Sequence, residues 1–573
     1  MLHATSRSLS TDGPRSQFTY RDLRRLGNYS LHSPLRVIAL VDFDAFYAQC
    51  EIVRLKLDAS QPLAVQQWNA IITLNYAARG FGFSRGASVK EVRRLCPNII
   101  MQHVTTWREG ESSWAYRSDA ADPAMMKKDK AAFDPYRIES RKSINIITKH
   151  LPSAPLQRKE KASVDEVFID LSAHVHSVLV SRYPQLAVDD NVHGSLPLPP
   201  RDIVLHWETD NLVDLPMSTD DTHRIDWDEI ALNIGAQIIR NLRKEILESL
   251  HYTCSAGIAQ NKALAKLGAG FKKPDQQTVI RARAVPFFPS TFKMTSIRGL
   301  AGVLGVKAKE AFGSNSIPDL LATPQEEVVT ALGRQDGHWF FRSIRGEDRS
   351  EVIPRTDPQS MLTQKTFVPP LTDISQASSW MIIFAADLIG RLNDLKVESG
   401  YFRRPSTLAV HHHIRGRFGP TTSKQCIIPS QMRIKEETIF NFAMKCLKII
   451  ADEAAPAWPC LSIGLSLHGL VKEEQRNQLI TNFMLATPGR QDSTEQTHKP
   501  PVRDQEPAMC TKALAARSAE TTVNASSDGY SCPTCGNMIA PTDVLEHLDW
   551  HVAFALQERF QRRDPCISSR HSS

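Results

Sequence analysis

The residues best placed to do chemistry are carboxylates at the ends of apolar runs. Val37-Ile38-Ala39-Leu40-Val41 predicts a buried strand, and it leads directly into Asp42-Phe43-Asp44-Ala45-Phe46-Tyr47. Far downstream, Ser163-Val164-Asp165-Glu166-Val167-Phe168-Ile169-Asp170-Leu171 carries two adjacent acids within another strand-like segment. An unpaired carboxylate in such surroundings is costly, so it is protonated, ion-paired or bound to metal. Read singly, each segment is as well explained by an acidic turn at a strand end. Read together, Asp42, Asp165 and Glu166 could converge only with cations among them, and Mg²⁺ prefers hard oxygen ligands plus the oxygens of a substrate phosphate. Two such ions, about 3.5 to 4 Å apart, activate a 3′-hydroxyl and stabilise a pyrophosphate leaving group, which is nucleotidyl transfer. In a regular strand Asp165 and Glu166 would face opposite sides, so joint action requires a bend, a bulge or an edge position.

Between these acids lies Asn75-Tyr76-Ala77-Ala78-Arg79-Gly80-Phe81-Gly82-Phe83-Ser84-Arg85. Tyr76 and Arg79 share one helical face, and the glycines permit a sharp exit that brings Arg85 back to the same side. Such a cluster suits a triphosphate, although a solvated Arg face beside a core Tyr gives the same pattern. The segment Cys254 to Lys266, followed by Lys272-Lys273-Pro274, predicts a small-residue strand-to-helix corner with further cations, and its lysines read as surface.

Near the C-terminus Cys532 and Cys535 have two residues between them, and after eleven more come His547 and His551 with three between them. Two thiolates and two imidazoles one helical turn apart complete a tetrahedral Zn²⁺ site in a unit too small for a core of its own. The helix carries Glu546, Asp549, Trp550 and Phe554, with basic residues only at its end, which argues against base readout.

The elements that must hold these groups belong to a chain of 573 residues with net charge +7, 42% hydrophobic and 23% charged residues. That length suggests about four domains and excludes collagen-like, wholly disordered and disulfide-scaffold classes. No apolar run approaches the ~18 to 20 residues of a membrane span, no secretory leader is legible, and ten scattered cysteines suit a reducing, intracellular setting. Residues 1–34 read as a flexible tail, 35–485 as the folded body with polar insertions at 108–134 and 189–226, and 486–528 as a tether. His411, His412 and His413 alternate faces on a probable strand and read as incidental.

In order and spacing, VDFDAFYAQCE, NYAARGFGFSR, SVDEVFIDLS and CSAGIAQNKALAKLGAGFKKPDQ resemble the Y-family translesion DNA polymerases, most closely the eta type, over roughly residues 36–480. The resemblance implies an α+β right hand. It has a discontinuous palm at 35–285 with fingers inserted at about 46–104, a thumb at 286–358 and a little finger at 359–485. A ββα zinc finger at 529–560 and a tail at 561–573 follow. It further implies that Asp42, Asp165 and Glu166, with the Phe43 carbonyl, hold two Mg²⁺ (or Mn²⁺), and that Asp44 supports the turn. Tyr47 matches the steric gate against ribose, unless it is simply a core aromatic. Tyr76, Arg79 and Lys273 match the triphosphate positions, and Arg85 the fingertip arginine. Gln67, in preference to its neighbour Gln66, matches a glutamine facing the template base.

Ile297 to Gly305 resembles a helix-hairpin-helix turn, Ser360 to Thr363 the opening little-finger strand, and Arg403, Arg404, Arg415, Arg417 and Lys424 are candidates to follow a DNA backbone. Cys532, Cys535, His547 and His551 match the Zn²⁺ ligands of a ubiquitin-binding finger, with Asp549 facing ubiquitin. Primer-template DNA, dNTPs and ubiquitin on a monoubiquitinated sliding clamp are then the expected partners, with no membrane, in the nucleus. The alternatives are an iota- or kappa-like member, or a largely non-catalytic ubiquitin-binding scaffold that keeps the fold.

Overall fold

The computed structural model describes residues 15–472, apart from 109, 112, 188–193, 216–223, 355–357, 415–420 and 454–456, together with 530–531 and 538–539. It is a mixed α+β structure. Its central sheet has six strands in the spatial order Asn211–Val213, Gln277–Ile280, Cys254–Ala259, Ile38–Phe43, Glu166–Asp170, Arg158–Lys161. Ile38–Phe43 lies antiparallel to both of its neighbours.

Alternation along that strand serves two cores, because successive side chains leave a strand on opposite faces. Val37, Ala39 and Val41 join Val167 and Ile169 against the helices Asp134–His150, Ser172–Arg182 and Trp227–Leu250. Ile38, Leu40 and Phe168 pack against the helix Lys262–Gly270. A strand buried on both faces must be apolar throughout, which is why the run from Val37 to Val41 has no polar interruption. The Lys262–Gly270 helix sits so close that a Cβ at Gly257 would stand 2.0 Å from the Ala265 carbonyl oxygen.

Three smaller units surround this sheet. Leu63–Gln67 lies between Ala70–Leu74 and Ile100–His103 in a three-stranded sheet. Helices Val303–Phe312, Ile317–Leu321, Gln325–Leu332 and Arg334–Ser343 share a separate core around Leu300 and Phe340. The C-terminal unit is a four-stranded antiparallel sheet in the order Ser360–Leu371, Cys460–His468, Thr407–Ile414, Thr421–Ile427, with the helices Ile374–Ser399 and Glu436–Glu453 against one face.

The expectation of a flexible tail over 1–34 is corrected for residues 15–34. Arg15–Thr19 is a strand paired with Ser195–Pro197, and Tyr20–Gly27 is a helix that buries Tyr20, Leu23 and Leu26 in the main core. Thr19 and Asp22 form a reciprocal capping box, which satisfies amide groups that a helix start leaves unpaired. Both polar insertions also contribute structure. Within 189–226, Ser195–Pro197 pairs with the N-terminal strand and Asn211–Val213 extends the central sheet. Within 108–134, Asp129–Ala132 pairs with Thr105–Arg108 and meets the C-terminal unit: Trp107 and Ala132 pack on Ile383 and Ala386, and Lys130 pairs with Asp387 at 2.9 Å.

Several basic candidates are engaged elsewhere. Arg403 is buried, its guanidinium 2.8 Å from the Tyr401 hydroxyl, and Arg404 donates to the Pro429 and Met432 carbonyls at 2.6 Å each. Lys424 pairs with Glu453, and Arg415 and Arg417 lie outside the described residues. His412 is fully buried against Trp458, whereas His411 leaves the other face and meets the Ser466 hydroxyl at 2.8 Å. Among the described residues no helix is long and apolar enough to cross a membrane.

Candidate active site

Antiparallel pairing brings the distant acids together. Asp42, near the end of its strand, stands directly opposite Glu166, the first residue of the neighbouring strand. Asp165 lies one residue outside that strand, tied in by the Phe43 N–H donating to its carbonyl at 2.9 Å. The opposite-face problem is thus answered by position: Asp165 has already left the pleat. Its carboxylate accepts from the Ser163 hydroxyl at 2.5 Å. Burial, and then the neighbouring Glu166 and Asp42 carboxylates, push its pKa up to about 6.

Asp44 is occupied as a support. Its two oxygens accept from the Ser255 hydroxyl at 2.7 Å and the Asp275 N–H at 2.9 Å.

These acids open onto a cavity of about 540 Å³ lined by Asp42, Phe43, Tyr47, Tyr76, Arg79, Arg85, Asp165, Glu166 and Lys273. The short helix Tyr76–Arg79, capped by the Asn75 side chain on the Ala78 N–H, sets the Arg79 guanidinium 4.1 Å from the Tyr76 ring centroid. Partial burial raises the Tyr76 phenol above its usual range, so it stays a neutral donor. Tyr47 is a core aromatic that also reaches the cavity. It stacks on Tyr136 at 4.2 Å and 14°.

Lys273 pairs with Asp42. Lys266, expected at the surface, is instead engaged: its ammonium bridges Glu166 and Asp42, the latter at 3.2 Å. Burial alone would lower both lysines, yet the carboxylates hold them above their usual values. The available signal was Lys262 and Lys266 one helical turn apart. Lys262 is buried on Glu160, so that face of the helix is turned inward.

The two glutamines part company. Gln66 donates to the Trp68 carbonyl at 2.6 Å and braces the turn. The buried Gln67 amide oxygen has no hydrogen-bond partner among the described residues. Gln67 does not line the carboxylate cavity. It lines a second cavity of about 390 Å³, where Trp68, Lys130 and Phe133 face Lys365 and Trp380 of the C-terminal unit.

Among the described residues no three His, Cys, Asp or Glu side chains are preassembled as a cation cage. The donor set nevertheless suits Mg²⁺: three acids offer hard oxygens, and burial followed by the neighbouring carboxylates disfavours the charged form of Asp165. Cys532, Cys535, His547, His551 and Asp549 lie outside the described residues. The adjoining ladder pairs Tyr530–Ser531 with Met538–Ile539.

Residues 41–270 match the impB/mucB/samB family, residues 358–479 its C-terminal domain, and residues 528–559 the ubiquitin-binding zinc finger. The chain belongs to the Y-family of polymerases. Its relatives include N-acetyltransferase eso1 of Schizosaccharomyces pombe, 31% identical over 96% of this chain and 66% of that protein. DNA polymerase eta of Saccharomyces cerevisiae is 29% identical over 69% of this chain and 70% of its own length. DNA polymerase eta of Arabidopsis thaliana is 30% identical over 66% of this chain and 53% of its own length. The Y-family match from 41 to 270 contains Asp42, Asp165, Glu166 and both lysines, and the zinc-finger match contains all four Cys and His ligand candidates.

Proposed function

We propose that this chain is a template-directed DNA polymerase of the eta type that copies damaged templates, cyclobutane pyrimidine dimers included. The observation that carries the reading is the convergence of Asp42, Asp165 and Glu166 with Tyr76, Arg79 and Lys273 on one cavity. Two Mg²⁺, held by the three acids and the Phe43 carbonyl, would supply activation of the primer 3′-hydroxyl and stabilisation of the pyrophosphate. The chain's own part is placement. Arg79 offers a planar fork and Tyr76 a hydroxyl to the triphosphate, Lys273 adds a point charge, and Arg85, on the same cavity, is assigned to the incoming nucleotide. Tyr47, immobilised by its stack on Tyr136, stands as a fixed wall beneath the sugar. Gln67, whose amide oxygen has no hydrogen-bond partner among the described residues, is assigned to the template base from the neighbouring cavity.

In this reading the central sheet and its helices are the palm, the three-stranded unit the fingers, the four-helix unit the thumb and the C-terminal unit the little finger. Four zinc ligands, Cys532, Cys535, His547 and His551, hold a finger that reads ubiquitin through Asp549. This recruits the enzyme to a monoubiquitinated clamp in the nucleus.

Primer extension on undamaged and thymine-dimer templates tests the proposal. Wild type should extend both and insert adenine opposite the dimer, and Asp165→Ala plus Glu166→Ala should lose at least ~10³-fold in rate. Equal extension by the two proteins would end the reading.

A further inference from the structure

The catalytic reading leaves Lys266 without a task. Its ammonium reaches Glu166 and Asp42, two acids on paired strands, while Lys273 takes the other Asp42 oxygen. The backbone that carries it has little freedom. The Lys262–Gly270 helix rests on Gly257, Asn261 caps its first turn and donates to the Gly346 carbonyl at 2.9 Å, and Lys262 is clamped on Glu160 at 2.7 Å. The two acids are fixed equally well by strand register. What can move is the lysine side chain, which is 30% exposed.

We infer that Lys266 is a positioning residue that serves as a resident counter-charge: it holds Asp42 and Glu166 together and competes with divalent cations for that same pair. The two ammonium groups of Lys266 and Lys273 sit directly on the acids, while Arg79 and Arg85 line the same cavity beyond them. A divalent ion must displace an ammonium group to gain both oxygens. An incoming triphosphate supplies the anion on which a displaced ammonium can settle. Cation and nucleotide binding are therefore coupled through this side chain, and by linkage the coupling is reciprocal. Lys266 contributes by holding its neighbours and yielding to the ion, and takes no part in bond making.

The inference rests on the reading of Asp42, Asp165 and Glu166 as cation-holding acids, and one experiment separates the two. Free Mn²⁺ is followed by electron paramagnetic resonance as it is titrated into the zinc-loaded full chain, with and without a non-hydrolysable dNTP. Lys266→Met, and Lys266→Gln should the first variant not fold, are compared with Lys142→Met, whose lysine pairs with Glu139 on the surface. Removing the competing charge should tighten the first Mn²⁺ by about 10-fold without nucleotide and shrink the further tightening that nucleotide brings, with Lys142→Met unchanged. Unchanged or weaker Mn²⁺ binding by the Lys266 variants overturns the inference. If Asp42→Asn abolishes Mn²⁺ binding at the same time, the catalytic reading stands. If Asp42→Asn binds Mn²⁺ as wild type does, the catalytic reading falls with it.

Discussion

The two cavities of this molecule solve the problem of buried charge in opposite ways. The carboxylate cavity sets charge against charge: three acids face Arg79, Arg85 and Lys273, and the ammonium groups of Lys266 and Lys273 pair directly with the acids. The cavity between the three-stranded unit and the C-terminal unit is lined by Lys365, which has no carboxylate partner among the described residues. It donates to the Asp129 and Met126 carbonyls at 2.5 and 2.9 Å, with Trp380 and Trp68 ring centroids at 4.8 and 5.5 Å. Burial, then the nearby Lys130, lowers its pKa to about 7. Carbonyl dipoles and ring faces tolerate a cation without fixing it, whereas ion pairs fix it until a stronger competitor arrives. The first arrangement suits exchange of ligands. The second suits a joint between units.

Several measurements would break or sharpen this contrast. The largest effect belongs to the acid side: Asp42→Asn should reduce primer extension by at least ~10³-fold and leave the unfolding midpoint within a few degrees of wild type. A large loss of stability instead would make Asp42 a structural residue. At the joint, Lys130 and Asp387 form a buried pair, so Asp387→Ala should cost about 3 to 5 kcal/mol in denaturant unfolding, against ~1 kcal/mol or less for a matched Lys130→Met plus Asp387→Leu replacement. Equal costs would mean that packing, not charge, joins the units.

The pH dependence is smaller and has a definite sign. Lys365 binds its proton more weakly folded than unfolded. Between about pH 7 and pH 10 the unfolded state therefore holds more protons, and stability rises with pH. Relative to Lys365→Met, wild type should gain up to ~1.4 kcal/mol per pH unit across that window. A flat difference would show that the ammonium is not desolvated. The smallest effect concerns selectivity: Tyr47→Ala should ease ribonucleotide insertion while dNTP insertion changes little. Unchanged sugar discrimination would place the gate elsewhere.

Much of the site was legible because its strongest signals are local. The apolar run into Asp42, the doubled acid at Asp165 and Glu166, and the Tyr76-to-Arg85 spacing each state their chemistry within a dozen residues. Contacts made at long range were harder to read. The strand Arg15–Thr19 has its partner at Ser195–Pro197, inside an insertion that looks like a polar loop, so its order had no local sign apart from the Thr19 and Asp22 capping pair. Lys266 looked like solvent-facing charge because burial depends on how closely its helix approaches the sheet, a tertiary fact. Arg403 misled for the converse reason: a basic residue expected to follow a DNA backbone is enclosed by Tyr401 and Ser399.

That close approach has a mechanical consequence. Because the Ala265 carbonyl would lie 2.0 Å from a methyl group at position 257, the spacing between helix and sheet is gauged by a single hydrogen atom. One added carbon there would lift the whole helix and draw the ammonium of Lys266 away from both acids at once. A residue that touches no substrate thereby calibrates the electrostatics of the site, and damage at Gly257 should be felt first in cation affinity.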